Sequence, residues 1–129
     1  MENHIRCQHI CLITDRLSET HDFYVGLLGL KAANYNESVG LLAFRLDDGF
    51  VLRFEANGSA SPSSIRFLGL ELDSFEQVDR LHDKLAKSIE IVQDLRAQFT
   101  SAEGPYGFLI EDPNGYRIKL FRYGPRTDA

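Results

Sequence analysis

The sequence predicts an α+β fold in which one chain carries two βαβββ modules. Strand and helix patterns follow the same order in both halves, and residue spacings match between the halves. A polar segment at 57–64, NGSASPSS, predicts the linker between them. The 129 residues suit a single domain over 1–129, with module 1 at about 5–56 and module 2 at about 65–123.

In the first half, alternating apolar residues over 5–14 predict a strand, and residues 15–18 offer turn and N-cap side chains for a following helix. Apolar residues then recur at helical spacing as far as Gly29, which predicts the end of the helix. The sequence DDG at 47–49 predicts a hairpin turn. Three strands are predicted in this region, at 31–35, 41–46 and 50–56.

The second half repeats this order. Asp73 and Ser74 are N-cap candidates for an amphipathic helix that ends near Ser88. The segment 100–106 is predicted to be a loop, and DPNG at 112–115 a turn. Four strands are predicted here, at 65–72, 89–92, 108–111 and 116–123.

Residue spacing relates the two halves position by position. The six-residue step from His9 to a helix-entry aspartate recurs 58 residues later, starting at Phe67. The closing strands match at an offset of 66 residues, so Arg53 corresponds to Lys119. We therefore expect each of these pairs to occupy equivalent positions in the two modules.

Charge and composition argue against several classes of partner. The net charge of −5, with Lys and Arg scattered, gives no basic surface for nucleic acid. No apolar run approaches the roughly 18 residues of a membrane span, and 1–14 lacks a signal-peptide pattern, so we expect a cytoplasmic protein without a membrane partner. Cys7 and Cys11 lie roughly 13 Å apart on one predicted strand, too far for a disulfide, and are expected to be reduced.

Two motifs carry a resemblance to a known family. HICL at 9–12 is followed by DFY at 22–24 and LLGL at 27–30, and EDPNGYRI stands at 111–118. Both motifs resemble those of the vicinal oxygen chelate superfamily of glyoxalases, extradiol dioxygenases and bleomycin-resistance proteins. The resemblance covers about 5–123. It implies a glyoxalase/bleomycin-resistance fold whose curved mixed sheets form a cleft.

Metal-dependent members of this superfamily place four ligands in that cleft, commonly two His and two Glu. The resemblance carries these positions over to His9, Arg53, Phe67 and Lys119. Arg and Lys bring positive charge to the position of the ion, and Phe has no donor atom. We therefore expect the standard metal site to be absent, and no cofactor.

A relocated divalent-metal site formed by His9, Glu55 and Glu71 is the alternative. Strand alternation places both Glu side chains on the cleft-facing side, together with Arg53 and Lys119. Because charged groups that leave water are normally paired, the sequence favours ion pairs between these Glu residues and the two cations over metal ligation.

The predicted cleft combines a few polar groups with aromatic lining, which favours metal-independent binding or sequestration of a small organic molecule. The resemblance to bleomycin-resistance proteins implies the same. The alternative is an enzyme, a lyase, isomerase or dioxygenase, that uses His9 as a base or the relocated metal. A third interpretation is a structural or partner-binding subunit whose cleft is filled. The candidate ligand-binding residues are His9, Arg53, Phe67, Lys119, Glu55, Glu71 and Phe121, with Phe44 as a further aromatic candidate.

Two further expectations concern partners. The resemblance implies a homodimer, and closed twofold dimers are the commonest assemblies. Arg53 and Lys119 favour an anionic or carbonyl-bearing ligand. If Glu55 and Glu71 neutralise both cations, a neutral planar molecule stacked on Phe67 is favoured instead.

Overall fold

Two four-stranded mixed sheets, one in each half of the chain, form the fold. The computed structural model describes residues 2–98 and 105–124. Two compact units divide between Ser61 and Pro62, within the segment 57–64 that the sequence predicts as a linker. The elements of the first unit are β1 (His9–Ile13), α1 (Leu17–Asp22), a π-helical turn (Phe23–Leu27), β2 (Ala32–Asn36), β3 (Leu41–Arg45) and β4 (Val51–Glu55). Those of the second are a 3₁₀ turn (Pro62–Ser64), β5 (Leu68–Glu71), α2 (Phe75–Ala86), β6 (Gln93–Asp94), a 3₁₀ turn (Arg96–Gln98), β7 (Pro105–Glu111) and β8 (Arg117–Tyr123).

The two sheets share one topology, with strand order β1-β4-β3-β2 in the first unit and β5-β8-β7-β6 in the second. In each sheet the first strand pairs parallel with the last, and the other pairs are antiparallel. The register repeats as well, since Ile10 lies opposite Leu52 and Leu68 lies opposite Ile118. These pairs are related by the offsets of 58 and 66 residues found in the sequence. The predicted two-module α+β fold is therefore confirmed.

The core of the first unit is an aromatic cluster under the helical segment. The fully buried ring of Tyr24 lies 5.5 Å from that of Phe44 and 5.2 Å from that of Phe54, between ring centroids. Tilted aromatic pairs of this kind add to the burial of apolar area. Two buried threonines, Thr14 and Thr20, approach within 3.3 Å through their hydroxyl oxygens where β1 leads into α1.

The core of the second unit lies between α2 and its sheet. Phe75, Val78 and Leu85 form the buried stripe of α2, which packs on β7 and β8. The Ser74 hydroxyl accepts a hydrogen bond from the backbone N–H of Gln77 at 3.0 Å, so Ser74 is the N-cap that the sequence predicts. Within the described ranges, every helix is too short or too polar to cross a membrane.

Two predicted boundaries in the second unit are wrong. The short strand expected at 89–92 lies at Gln93–Asp94, because the carbonyl of Leu85 accepts from the N–H of Ile89 and so continues the helical end of α2. Pro105 and Tyr106, expected in a loop, belong to β7. The rest of that predicted loop, 100–104, lies outside the described residues.

The start of α1 also differs from expectation. Residues 15–18 were expected to supply its N-cap, but the N-cap position is Arg16 and no side chain caps the helix there. The Thr14 hydroxyl instead accepts from the backbone N–H of Arg16 at 2.9 Å, which takes over part of the role of a cap. The sequence pattern does not reveal this capping role, because Thr14 is also the last residue of the predicted strand.

A cluster of ion pairs and hydrogen bonds links β6 and the following turn to α2. The Arg96 guanidinium binds both carboxylate oxygens of Asp94, through Nε at 3.0 Å and Nη2 at 2.9 Å, and Nη1 reaches Asp79 on α2 at 2.8 Å. The Tyr106 hydroxyl donates to Asp79 at 2.6 Å. His82 Nε2 lies 3.5 Å from Asp94. Hydrogen bonds from Arg96, the largest influence, hold the pKa of Asp94 below its ordinary value.

Gly107 on β7 is required by close packing of backbone. A Cβ atom at this position would collide with the carbonyl oxygen of Leu120 and would lie 2.8 Å from the Cα of Phe121, its partner on β8. Neither neighbour is the flexible end of a side chain, so relief would require the two strands to separate.

We predict that Gly107→Ala lowers the free energy of unfolding by about 1–3 kcal/mol, the usual cost of overpacking. Gly26→Ala is the control, because nothing lies within 4 Å of a Cβ at Gly26 and its backbone is helical. Urea denaturation of both variants provides the measurement. Equal stability of the two would contradict the role assigned to Gly107.

We also predict a pH-dependent contribution from Asp94. Because its pKa is lowered by folding, its stabilising effect is complete above the ordinary value of 3.8 and is lost as the pH falls through the lower folded value. Asp94→Asn should therefore be less stable than wild type at neutral pH, with a difference that shrinks in acid. Urea denaturation across this pH range, with the exposed Glu90→Gln as control, tests it. A difference that stays constant with pH would count against the prediction.

Candidate functional site

One face of the first sheet carries three of the predicted site residues. Leu52 and Phe54 turn to the buried side of β4, so Arg53 and Glu55 lie on the opposite face. His9 pairs with Val51 in the parallel register, two positions before the pair that contains Arg53, and so lies on that same face. The expectation that strand alternation groups these side chains agrees with the observed register.

Arg53 and Glu55 form an ion pair on that face. Nε of Arg53 lies 3.1 Å from Oε2 of Glu55, and the side chains are 41% and 40% exposed. They line an open depression of about 410 Å³ whose rim includes Val39, Leu41 and Asn57. Partly exposed pairs of this kind contribute little to stability, but the pair does neutralise Arg53 locally.

His9 and Cys11 are the other reactive groups of this face. Nδ1 of His9 lies 2.7 Å from the side-chain oxygen of Gln8. Partial desolvation raises the pKa of the Cys11 thiol, and the Glu55 carboxylate raises it further while Arg53 opposes the rise. Cys11 is therefore protonated at neutral pH and a poor nucleophile. Both cysteines are free, although Cys7 lies before β1 and not on the same strand as Cys11.

Phe67, which directly precedes β5, lies close to Lys119 and Phe121 on β8. Nζ of Lys119 lies 5.3 Å from the centroid of the Phe67 ring and 5.6 Å from that of the Phe121 ring. Both distances fall within the roughly 6 Å range of a cation–π contact. Gly69, opposite Lys119 in the register, leaves room for the ring of Phe121, which would lie 3.1 Å from a Cβ there. Phe121 in turn contacts Tyr123 edge-on at 5.3 Å.

Glu71 does not pair with Lys119, contrary to the sequence-based interpretation. Its carboxylate lies 3.8 Å from Nη1 of Arg122 instead. Arg122 also donates to the backbone carbonyl of Leu72 at 3.4 Å. Strand alternation points Arg122 away from the face of Lys119, but its long side chain reaches the end of β5. Among residues 2–98 and 105–124, Lys119 has no ion-pair partner.

Phe44 was proposed as a further aromatic lining residue, and this prediction is wrong. Phe44 lies opposite Leu52 in the antiparallel register of β3 and β4, which turns both side chains to the buried side of the sheet. Its ring is fully buried against Tyr24. The register between β3 and β4 places Phe44 on the buried side of the sheet. Alternation within one strand does not reveal that register.

The donor set at the positions implied for a metal does not fit a divalent cation. Arg53 and Lys119 are cationic, and the ring of Phe67 supplies no ligand atom. For the relocated alternative, His9 and Glu55 belong to the first unit and Glu71 to the second. No group of three His, Cys, Asp or Glu side chains in the described parts of the chain is arranged to hold a metal ion.

Two residues of the second face were missed by sequence reasoning. Tyr123 continues the alternation from Lys119 through Phe121 and is 51% exposed, so the period of two could have identified it. Gly69 carries no chemical signal of its own. Its role becomes visible only when the register places it beside Lys119 and under the ring of Phe121.

Comparison with solved structures identifies the fold. A lactoylglutathione lyase from Agrobacterium tumefaciens superposes with a TM-score of 0.72 at 17% identity, covering 94% of this chain and 96% of its own. A glyoxalase/dioxygenase from Nostoc punctiforme gives 0.70 at 17%, covering 95% and 99%. A glyoxalase/bleomycin resistance protein/dioxygenase from Alicyclobacillus acidocaldarius gives 0.70 at 21%, covering 95% of each chain.

The sequence itself establishes the family. No curated protein matches it significantly. The profile of the Glyoxalase/Bleomycin resistance protein/Dioxygenase superfamily matches residues 6–120, which is most of the 129 residues and includes both modules. This match agrees with the repeated sheet topology and with the motifs at both ends of the chain. The chain therefore belongs to the glyoxalase/bleomycin resistance protein/dioxygenase superfamily.

Proposed function

We propose that this protein binds and sequesters a small planar organic molecule without using a metal ion. The observation that carries this proposal is a group of three partly exposed aromatic residues in the second unit, Phe67 before β5 and Phe121 and Tyr123 on β8. These three residues are called the aromatic platform below. Phe67 and Tyr123 are 37% and 51% exposed, whereas Phe75, Phe108 and Tyr116 lie in the core of this unit.

A flat ligand would gain stability on this platform in two ways. Covering exposed ring surface contributes about 25 cal/mol per Å² of apolar area buried. Stacked or edge-on aromatic contacts add about 0.5–1.5 kcal/mol each beyond that area. Because Phe121 and Tyr123 already contact each other edge-on at 5.3 Å, they present a preorganised surface that loses little side-chain entropy on binding.

Catalysis is the second candidate, and one observation on the first sheet favours it. The oxygen of Gln8, 2.7 Å from Nδ1 of His9, accepts a hydrogen bond and so favours the tautomer with a proton on Nδ1. Nε2 then carries the lone pair that a general base needs. If His9 is such a base, His9→Gln would abolish turnover of a ligand while leaving its binding intact, which separates this candidate from sequestration.

We predict that Phe67→Ala weakens binding of 2-naphthamide, a neutral planar probe, about tenfold, which corresponds to about 1.4 kcal/mol. Phe67→Tyr keeps the ring and should retain the affinity of the wild type. Fluorescence titration measures both variants, and native mass spectrometry of the purified protein reports any molecule that copurifies. Identical affinities of wild type and Phe67→Ala would disprove a binding role for the platform.

We further predict that the purified protein contains no stoichiometric zinc, nickel, iron or manganese. Three of the four positions that hold metal ligands in metal-dependent relatives are occupied here by Arg53, Phe67 and Lys119. Arg53 and Lys119 carry positive charges that repel a metal ion, and Phe67 has no ligand atom. Elemental analysis after purification without chelators provides the measurement. One metal ion per chain that is lost in both His9→Ala and Glu55→Gln would refute this prediction and favour the relocated site.

A further inference from the structure

The ammonium group of Lys119 occupies the site over the ring faces of the aromatic platform where a cationic ligand would bind. Its ammonium nitrogen lies 5.3 Å from the centroid of Phe67 and 5.6 Å from that of Phe121, over the faces of both rings. The negative faces of aromatic rings attract one cation at this range. An incoming cation would have to displace the ammonium group or approach it closely, and either event is unfavourable.

The neighbouring carboxylates pair with other cations, so the contacts of the Lys119 ammonium group are with the aromatic rings. Glu71 lies 3.8 Å from Arg122, and Glu111 lies 3.8 Å from Arg117, so both neighbouring carboxylates have other partners. Lys119 forms no ion pair within the part of the chain that the structure describes. A lysine with aromatic faces as partners can still donate its N–H groups to an acceptor placed beside the rings.

β5, which pairs with β8 at Lys119, leaves room for the Phe121 ring beside the ammonium group. Gly69 is its register partner and has no side chain, so the Phe121 ring settles over the glycine, 3.1 Å from where a Cβ would be. A Cβ at this position would require the ring to shift by a few tenths of an ångström, and a longer side chain would compete with the ring for this space. The position of the Phe121 ring beside the ammonium group therefore depends on the register of β5 and β8.

We propose, on the basis of the binding function proposed above, that Lys119 is a specificity-determining residue that selects planar ligands by charge. An aromatic carboxylate can stack on Phe67 while its carboxylate accepts a charge-assisted hydrogen bond from Nζ of Lys119. A neutral amide with the same ring gains the stacking and only the weaker hydrogen bond that Nζ donates to an uncharged acceptor. A planar ring that carries a quaternary ammonium group meets a like charge on the platform and binds more weakly.

The experiment uses three probes with one ring system: 2-naphthoate, 2-naphthamide and 2-naphthylmethyl-trimethylammonium. Wild type should bind the anion about tenfold more tightly than the amide, and the amide more tightly than the cation. Lys119→Met should reduce affinity for the anion at least about tenfold, reduce affinity for the amide much less and increase affinity for the cation, because the rings are then free. Raised salt should weaken only the binding of the anion to wild type.

Two control variants separate charge at the platform from other effects. Lys119→Arg keeps the cation and should keep the order of the three probes. Lys84→Met makes the same change of net charge on α2, at an exposed position, and should also keep it. Circular dichroism and thermal melting identify any variant that fails to fold, and Lys119→Gln then replaces Lys119→Met.

The outcomes distinguish the two proposals. Equal affinities of wild type for all three probes, unchanged in Lys119→Met, would overturn charge selection while leaving the binding function in place. Wild type that binds none of the probes would overturn the binding function and the inference with it. Reversal of the order of anion and cation in Lys119→Met, together with loss of the cation in Lys119→Met combined with Phe67→Ala, supports both.

Discussion

Parallel pairing of the first and last strands of each module is the constraint on which the rest of the structure depends. The pair Ile10 and Leu52, and its counterpart Leu68 and Ile118, bring together segments more than forty residues apart in sequence. Because side chains alternate along a strand, this one register determines which residues are buried under the helix and which lie on the open face. A slip of one residue would bury Lys119 and expose Ile118.

Much of the fold and part of the site could be predicted for this same reason. A period of two and a pair of constant offsets can both be found in the sequence, so the equivalence of Arg53 and Lys119 follows without coordinates. The grouping of Phe67, Lys119 and Phe121 on one face follows in the same way. Ser74 could be recognised as an N-cap because capping depends on a side chain next to the helix.

Features that depend on a neighbouring strand or on a long side chain could not be predicted. Phe44 is buried because its antiparallel partner is Leu52, and that register is a property of two strands. Glu71 pairs with Arg122, whose side chain extends from the opposite side of β8 to reach it, so alternation gives the wrong partner. The position of β6 depends on how far the helical end of α2 continues. The hydrogen bond from the N–H of Ile89 to the carbonyl of Leu85 extends it to Ile89.

The two modules use the same backbone position for different chemistry, and the difference lies two residues further along the strand. Arg53 is followed on its face by Glu55, which pairs with it at 3.1 Å. At the equivalent position after Lys119 stands Phe121, whose ring accepts the ammonium group at 5.6 Å instead of neutralising it. A carboxylate removes the cation from recognition, whereas an aromatic ring holds it in place and leaves its charge for an anionic ligand. Both sheets thus carry a cation at this position, and the residue two positions further along the strand determines whether that cation is paired with a carboxylate or lies beside an aromatic ring.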